Sequence, residues 1–337
     1  MDVAIEAEGL RKRYRGHEAL RGIDLSVPAG TVLGVLGPNG AGKTTAVRVL
    51  TTLLAADGGR ARVAGFDVAA QPGEVRRRIG LTGQYAAVDE LLTGRENLTL
   101  IGRLHRLGRK GAKAKAAELL DQFDLTEAGD RPSHTYSGGM RRRLDLAASL
   151  LSEPQVIFLD EPTTGLDPAS RIALWGMVRD QVARGVTVLL TTQYLEEADQ
   201  LADRIAVIEA GRVIAEGAPA ELKRTVGGER LEVSTANVAH LGLAAEALAK
   251  VAPDDRIVVE ETEGRITIPL TGGVRGITAA AAALEAAGVE VQDFSVRRPS
   301  LDDVFLSLTG RSDRSEPAKD PATDPATTEP TQERAAA

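Results

Sequence analysis

Residues 37–45 read GPNGAGKTT, and this run constrains the fold more than any other part of the chain. It satisfies G-x-x-x-x-G-K-[ST], with Gly37, Gly42, Lys43 and Thr44 at the fixed places. A loop that wraps a triphosphate must turn its backbone N–H groups inward, so side chains disappear where the loop is tightest. The run follows the apolar stretch 31–37 (TVLGVLG) and precedes an apolar helical stretch, 46–53. Strand, glycine loop and helix in that order are the setting a phosphate cradle needs. Lys43 can set a positive charge against the β- and γ-phosphates, and the Thr44 hydroxyl can ligate Mg2+. The helix that starts near Gly42 offers its positive end to the anion. Pro38, Asn39, Gly40, Ala41 and Thr45 complete the candidate nucleotide-binding run.

A second motif supports the first. Residues 156–161 read VIFLDE, an apolar strand that ends in two carboxylates. Asp160 is the candidate Mg2+ holder, at the C-terminal edge of the strand where open α/β sheets place ligands. Glu161 is one residue further and so displaced from the metal, which makes it the candidate to polarise the water that attacks the γ-phosphate. A strand ending in solvated acids has the same composition; the company of the 37–45 loop favours the chemical reading.

The rest of the chain is organised around these motifs. Compact apolar runs at 31–37, 79–84, 156–160 and 186–192 suit strands buried on both faces of a parallel sheet. Runs 5–14 and 19–27 alternate more and are expected to form an antiparallel pair near one sheet edge. Between residues 95 and 151 the apolar spacing becomes helical. From about residue 227 the order is strand 230–233, helix 241–251, strand 256–260, strand 265–270, helix 277–287 and strand 289–296. That βαββαβ order is the split ferredoxin-like pattern, with a short helix expected at 301–308. Residues 311–337 carry Pro317, Pro321, Pro325 and Pro330 and have almost nothing apolar to bury, so they read as a disordered tail.

Composition removes several classes of function. The net charge of −7 argues against nonspecific nucleic-acid binding, which needs a basic surface. The absence of cysteine excludes disulfide frameworks and cysteine zinc sites. His17, His105, His134 and His240 have no metal-ligand spacing. The polar, acidic start shows no signal peptide. No apolar run reaches the roughly 18 residues needed to cross a bilayer, so a membrane role would come through a partner chain. The basic run 103–115 reads as a solvated helix face, with anionic lipid headgroups as the other option.

At residues 136–141 the sequence reads YSGGMR, shortly before VIFLDEP. This resembles the LSGGQ signature of ABC-type nucleotide-binding domains, with Tyr for Leu and Met for Gln, and the resemblance runs from residue 1 to about 222. In that family the signature of one subunit closes over the ATP held by the phosphate loop of the other. The resemblance therefore implies a homodimer in which Ser137, Gly138 and Gly139 offer a hydroxyl, bare N–H groups and a helix start to a partner's γ-phosphate. Tyr14 sits where an aromatic ring stacks on adenine. Gln84 resembles the Q-loop glutamine, which touches Mg2+ or water and senses the membrane subunit. Gly165, Leu166 and Asp167 resemble the D-loop that crosses the dimer interface. The family usually has a switch histidine where this chain has Gln193, in TTQYLEEAD. Glutamine can donate a hydrogen bond to phosphate but carries no proton charge. Gln193 is thus expected to keep the sensing contact while Glu161 does the work of a general base.

The stretch TTQYLEEADQLADRI, the region after it and residues 297–310 (RRPSLDDVFLSLTG) are similar to the daunorubicin-resistance ATP-binding subfamily. Those proteins resemble motors of drug and antibiotic exporters whose membrane-spanning half is a separate polypeptide. The resemblance implies an α/β fold, with a P-loop NTPase domain of ABC type over 1–224 that has a helical subdomain at about 85–152. A small α+β, ferredoxin-like accessory domain covers 228–310, and 311–337 is left as the disordered tail. It implies ATP and Mg2+, with Thr44, Gln84 and Asp160 on the metal and Lys43, Glu161 and Gln193 as catalytic residues. It also implies a separate multi-spanning membrane permease, a position on the cytoplasmic face of the cell membrane, and no nucleic acid. The alternative is a non-transport ABC ATPase acting on ribosomes or DNA. Such proteins usually have two nucleotide domains or long coiled-coil or zinc insertions, whereas this chain has one phosphate loop and no cysteine. A catalytically dead binding module is disfavoured by Lys43, Asp160 and Glu161. For the accessory domain, packing or dimerisation, contact with the permease and regulation of hydrolysis all stay open.

Overall fold

Alternating residues near the N-terminus form two long strands, β1 (Val3–Tyr14) and β2 (His17–Pro28). They pair antiparallel with Tyr14 opposite His17. Arg15 and Gly16 both take positive φ between them, as a two-residue hairpin turn requires. β3 (Val32–Leu36) is buried at every position. After helix α1 (Lys43–Leu50) come β4 (Gly58–Val63), β5 (Phe66–Asp67), helix α2 (Pro72–Arg76) and β6 (Ile79–Thr82). The computed structural model describes residues 2–83, 88–252 and 257–309; Gln84 and the run 311–337 lie outside them.

The order of strands puts β1 and β2 as an antiparallel pair at a sheet edge, as expected, and decides which sheet that is. β1 and β2 do not edge the parallel sheet; with β4 and β5 they form a separate antiparallel sheet, β2-β1-β4-β5. The physical reason is their period of two. Each carries one apolar row, and a single apolar row is buried by lying over another layer rather than by being sandwiched. Ile5, Leu20 and Ile23 share a core with Leu33 and Val35 of β3 and with Val47 and Leu50 of α1.

The chain then becomes helical through α3 (Gly94–Leu104), α4 (Gly108–Gln122) and α5 (Gly138–Ser149). Thr93 and Glu96 form a reciprocal capping box that fixes the start of α3. Three more strands complete the central sheet: β7 (Val156–Asp160), β8 (Thr187–Thr192) and β9 (Arg204–Glu209), with helices α6 (Pro168–Ala183) and α7 (Leu195–Leu201) between them. β10 (Arg212–Gly217) adds an antiparallel edge, giving the order β10-β9-β3-β8-β7-β6. The pairs β3–β8, β3–β9, β6–β7 and β7–β8 are all parallel. The C-terminal ends of β3, β7 and β8 therefore lie side by side.

After helix α8 (Pro219–Thr225) the second unit runs β11 (Arg230–Thr235), α9 (Leu241–Ala249), β12 (Val258–Glu260), β13 (Arg265–Pro269), α10 (Val274–Ala286) and β14 (Val291–Arg297). Its sheet order, β12-β13-β11-β14, is antiparallel throughout, as the split βαββαβ pattern requires. Leu231, Val233, Ile266 and Ile268 pack on Ala244, Leu248, Ala280 and Leu284 in a core of their own. The last helix, α11 (Leu301–Thr309), leaves that core. Its Leu301 and Val304 are buried in the main core with Leu222 of α8. Two such side chains contribute roughly 1.5–3 kcal/mol each.

Candidate nucleotide-binding and hydrolysis site

The phosphate loop leaves β3 at Gly37, which has no room for a side chain: a Cβ there would stand 2.2 Å from the Ile208 carbonyl oxygen. The loop turns back at Gly40 (φ +82°) and Gly42 (φ +110°). A Cβ on Gly42 would lie 2.5 Å from the Ala19 carbonyl of β2. Between them, Asn39 and Gly40 are exposed and Ala41 is buried. The Ala41 N–H donates to Pro38 O at 3.2 Å, and its own carbonyl accepts from Gly211 N–H at 3.0 Å. α1 starts at once, with no side chain capping its first turn. Its leading N–H groups, including those of Thr44 and Thr45, are thus oriented for an anion.

Lys43 is 4% exposed. Its Nζ donates to Gly37 O at 2.8 Å and to Pro38 O at 3.2 Å, and lies 3.5 Å from Glu161 Oε1. The Thr44 hydroxyl donates to Asp160 Oδ1 at 3.1 Å. Thr191, opposite Asp160 in the β7–β8 pairing, donates to the same oxygen at 2.6 Å. A hydroxyl and a buried carboxylate side by side suit Mg2+, which takes one or two protein ligands and fills its shell with phosphate oxygens and water. Among the described residues no cluster of three or more His, Cys, Asp or Glu could hold a metal without such help.

Glu161 takes a left-handed φ of +52°. A non-glycine residue there costs about 1–2 kcal/mol. Its N–H donates to Thr191 O at 3.0 Å, so the turn is held by β8. The turn breaks the strand direction, and the Glu161 carboxylate faces Lys43.

The signature segment is built on α5. Ser137 caps the helix, accepting from Met140 N–H at 3.2 Å. Ser137 and Gly138 are exposed, while Gly139 is buried, with a Cβ position 2.4 Å from Ser170 Oγ. Tyr136 is buried, its hydroxyl donating to Ala128 O at 2.7 Å, which ties the segment to the helical insertion. Asp167 caps α6 and accepts from the Ser170 N–H at 2.9 Å and the Ser170 hydroxyl at 2.6 Å. The Ser170 hydroxyl, then its N–H, hold the Asp167 carboxyl below the usual carboxylate range. Among the described residues no hydrogen bond joins Ser137, Gly138 or Gly139 to the 37–45 loop. Tyr14 stands at the hairpin end, 42% exposed, and Gln193 is exposed just beyond β8.

Three participants escape a sequence reading. Thr191 is one; its trace in the sequence is only a polar pair at the end of an apolar strand. Arg142 is another: it lies on α5 and donates to the carbonyls of Asp160, Glu161 and Pro162. Burial draws its guanidinium below its usual range, opposed by the charges of Asp145, Glu197 and Asp160. The third is Glu197 on α7, fully buried and bonded to Trp175 Nε1 at 3.1 Å. Burial pushes its carboxyl above the usual range.

A glycine cradle at the end of a parallel strand, a buried lysine, a Thr–Asp pair and a carboxylate one residue further define a phosphate-loop ATPase. The fold is similar to a solved ATP-binding cassette of an ABC transporter in its ADP conformation, with a TM-score of 0.60 and 29% identity, covering 66% of this chain and 93% of that one. Residues 20–164 match the family model "ABC transporter", and residues 217–309 match "ATP-binding protein DrrA1-3-like, C-terminal domain". The chain is 59% identical to the daunorubicin resistance ATP-binding protein DrrA2 of Streptomyces coeruleorubidus, over 94% of this chain and 98% of that one. It is 53% identical to the daunorubicin/doxorubicin resistance ATP-binding protein DrrA of Streptomyces peucetius, over 93% and 94%. The chain belongs to this DrrA-type family of ABC transporter ATP-binding subunits, and it binds and hydrolyses ATP.

Proposed function

We propose that this chain is the motor of an exporter for a drug, antibiotic or other hydrophobic compound. It works as a homodimer on the cytoplasmic face of the cell membrane, beneath a separate multi-spanning permease. The likeness to resistance proteins supports export. Among the described residues no helix is long and apolar enough to cross a membrane, in keeping with a separate permease.

The observation that carries the dimer is the division of the site. The cradle and its Lys43, Thr44, Asp160 and Glu161 meet within one chain, while Ser137, Gly138 and Gly139 stand apart at the start of α5. An exposed capping hydroxyl and a helix start are suited to the γ-phosphate of a second copy. Thr44, Asp160 and Gln84 hold Mg2+, which when bound spreads the negative charge of the β- and γ-phosphates. Lys43 adds a fixed positive charge, Tyr14 stacks on the adenine ring, and Asp167 lies at the interface. Glu161 orients the attacking water, and Gln193 donates a hydrogen bond that reports the γ-phosphate. Closure bridges the two copies through ATP, and hydrolysis removes the bridge.

The test is affinity capture of tagged Glu161→Gln protein from detergent-solubilised cells in MgATP. A multi-spanning chain in near-equal amount is the expected result. Ribosomal or DNA-repair proteins instead, with the bait absent from membranes, would sink the exporter reading.

A further inference from the structure

Helix α5 does more than present the signature glycines. Arg142, the fifth residue of α5, places its guanidinium among backbone carbonyls. It donates to Gly83 O at 2.6 Å, Pro162 O at 2.7 Å, Glu161 O at 3.1 Å and Asp160 O at 3.3 Å. Asp145, also buried, stands 3.5 Å from the guanidinium.

These carbonyls belong to two segments whose pairing with each other has already stopped. β6 and β7 pair only as far as Thr82 and Leu159. Gly83 is the next residue on one strand, and Asp160 the next on the other. Arg142 takes over the connection at the point where the ladder ends. The same side chain closes the clamp on Glu161. That residue is in a left-handed conformation that must be held from outside. Its N–H is bonded to Thr191 O and its C=O to Arg142.

We infer that Arg142 is a positioning residue for hydrolysis. By gripping the Glu161 peptide and the Gly83 carbonyl together, it fixes the direction of the Glu161 carboxylate and ties that direction to the end of β6. A planar fork of five donors reaches four carbonyls spread along its edges in fixed directions; an ammonium has three donors at a single point on a flexible stem and cannot hold all four. This inference rests on the reading of Glu161 as the group that orients the attacking water.

Arg142→Lys in the full chain keeps the charge beside Asp145 and removes the fork. ATP affinity, KM, kcat and Tm are measured for it, with Glu161→Gln in parallel. The expected result is a kcat lower by about tenfold or more, with KM and ATP affinity within about twofold. A kcat equal to wild type overturns the inference. So does a loss of ATP affinity and Tm in step with kcat, which is what a purely structural role would give. If Glu161→Gln still turns over, the reading of Glu161 fails and the role of Arg142 falls with it. If Glu161→Gln is inert and Arg142→Lys is as fast as wild type, the Arg142 inference alone fails. Should Arg142→Lys not fold, Arg142→Gln combined with Asp145→Asn removes both buried charges and is held to the same expectation.

Discussion

Lys43 Nζ lies 3.5 Å from Glu161 Oε1, with 3% and 11% of the two side chains exposed. The charge proposed to meet phosphate and the carboxylate proposed to orient water are thus already in contact. Removing one member of such a pair separates binding from chemistry. Glu161→Gln frees Lys43 of a competing anion, so ATP affinity is expected to equal or exceed wild type while hydrolysis falls by about a hundredfold or more. Steady-state turnover and equilibrium nucleotide binding check this together. Weakened binding would mean that Glu161 supports the cradle instead.

Thr191 holds Asp160 from the neighbouring strand at 2.6 Å. Thr191→Val keeps the shape and deletes the donor to a buried carboxylate, at a cost of about 1–3 kcal/mol. Each kcal/mol is worth about 2–4 °C of Tm in a domain of this size. Thermal melting should show that drop for Thr191→Val and not for Thr191→Ser. Equal melting of the three proteins would remove Thr191 from the site.

Two loop glycines are expected to respond very differently to alanine. At Gly37 the added Cβ meets a backbone oxygen, Ile208 O at 2.2 Å, which cannot move without shifting β9. At Gly40 nothing lies within 4 Å, and the only penalty is the positive φ. Gly40→Ala should therefore cost about 1–2 kcal/mol, and Gly37→Ala more than about 3 kcal/mol with loss of nucleotide binding. Denaturant unfolding of both variants gives the order, and equal losses would contradict the close approach at Gly37.

Ser170 holds the Asp167 carboxyl down, its hydroxyl more than its N–H. A folded pKa below the unfolded value of about 3.9 means that Asp167 stabilises the fold above that pH. The contribution is lost as pH falls through the lower folded value. Ser170→Ala removes the larger cause, so the Asp167 carboxyl should titrate closer to 3.9 and the stability lost on acidification should shrink. The carboxyl carbon shift of Asp167 followed against pH measures this directly. A titration unmoved by Ser170→Ala would assign the shift to the helix start alone.

Much of this protein is determined by the sequence alone, because the relevant contacts are local. The phosphate cradle is nine consecutive residues, and its glycines answer to backbone sterics within a single turn. VIFLDE carries its two carboxylates in adjacent places, so strand burial and the position of both acids are read together. The βαββαβ order of the second unit follows from periodicity, and its sheet order follows from that pattern. The signature at 136–141 is equally local, and Tyr136 in place of Leu finds a reason only in the carbonyl of Ala128.

What tertiary structure decided lies between segments far apart in the chain. Which layer β1 and β2 join depends on what their apolar row covers, and alternation alone does not name the cover. The hydrogen bond from Thr191 to Asp160 spans 31 residues and exists because β7 and β8 pair in one register. Arg142 reaches Gly83 across 59 residues. α11 turns back to the main core because Leu301 and Val304 are buried there with Leu222 rather than in the small core it has just left. Local sterics and periodicity set each element and its motif within a few residues. The pairing of surfaces is chosen by the burial of the whole chain, and so the residues that position the chemistry appear only once the elements have packed.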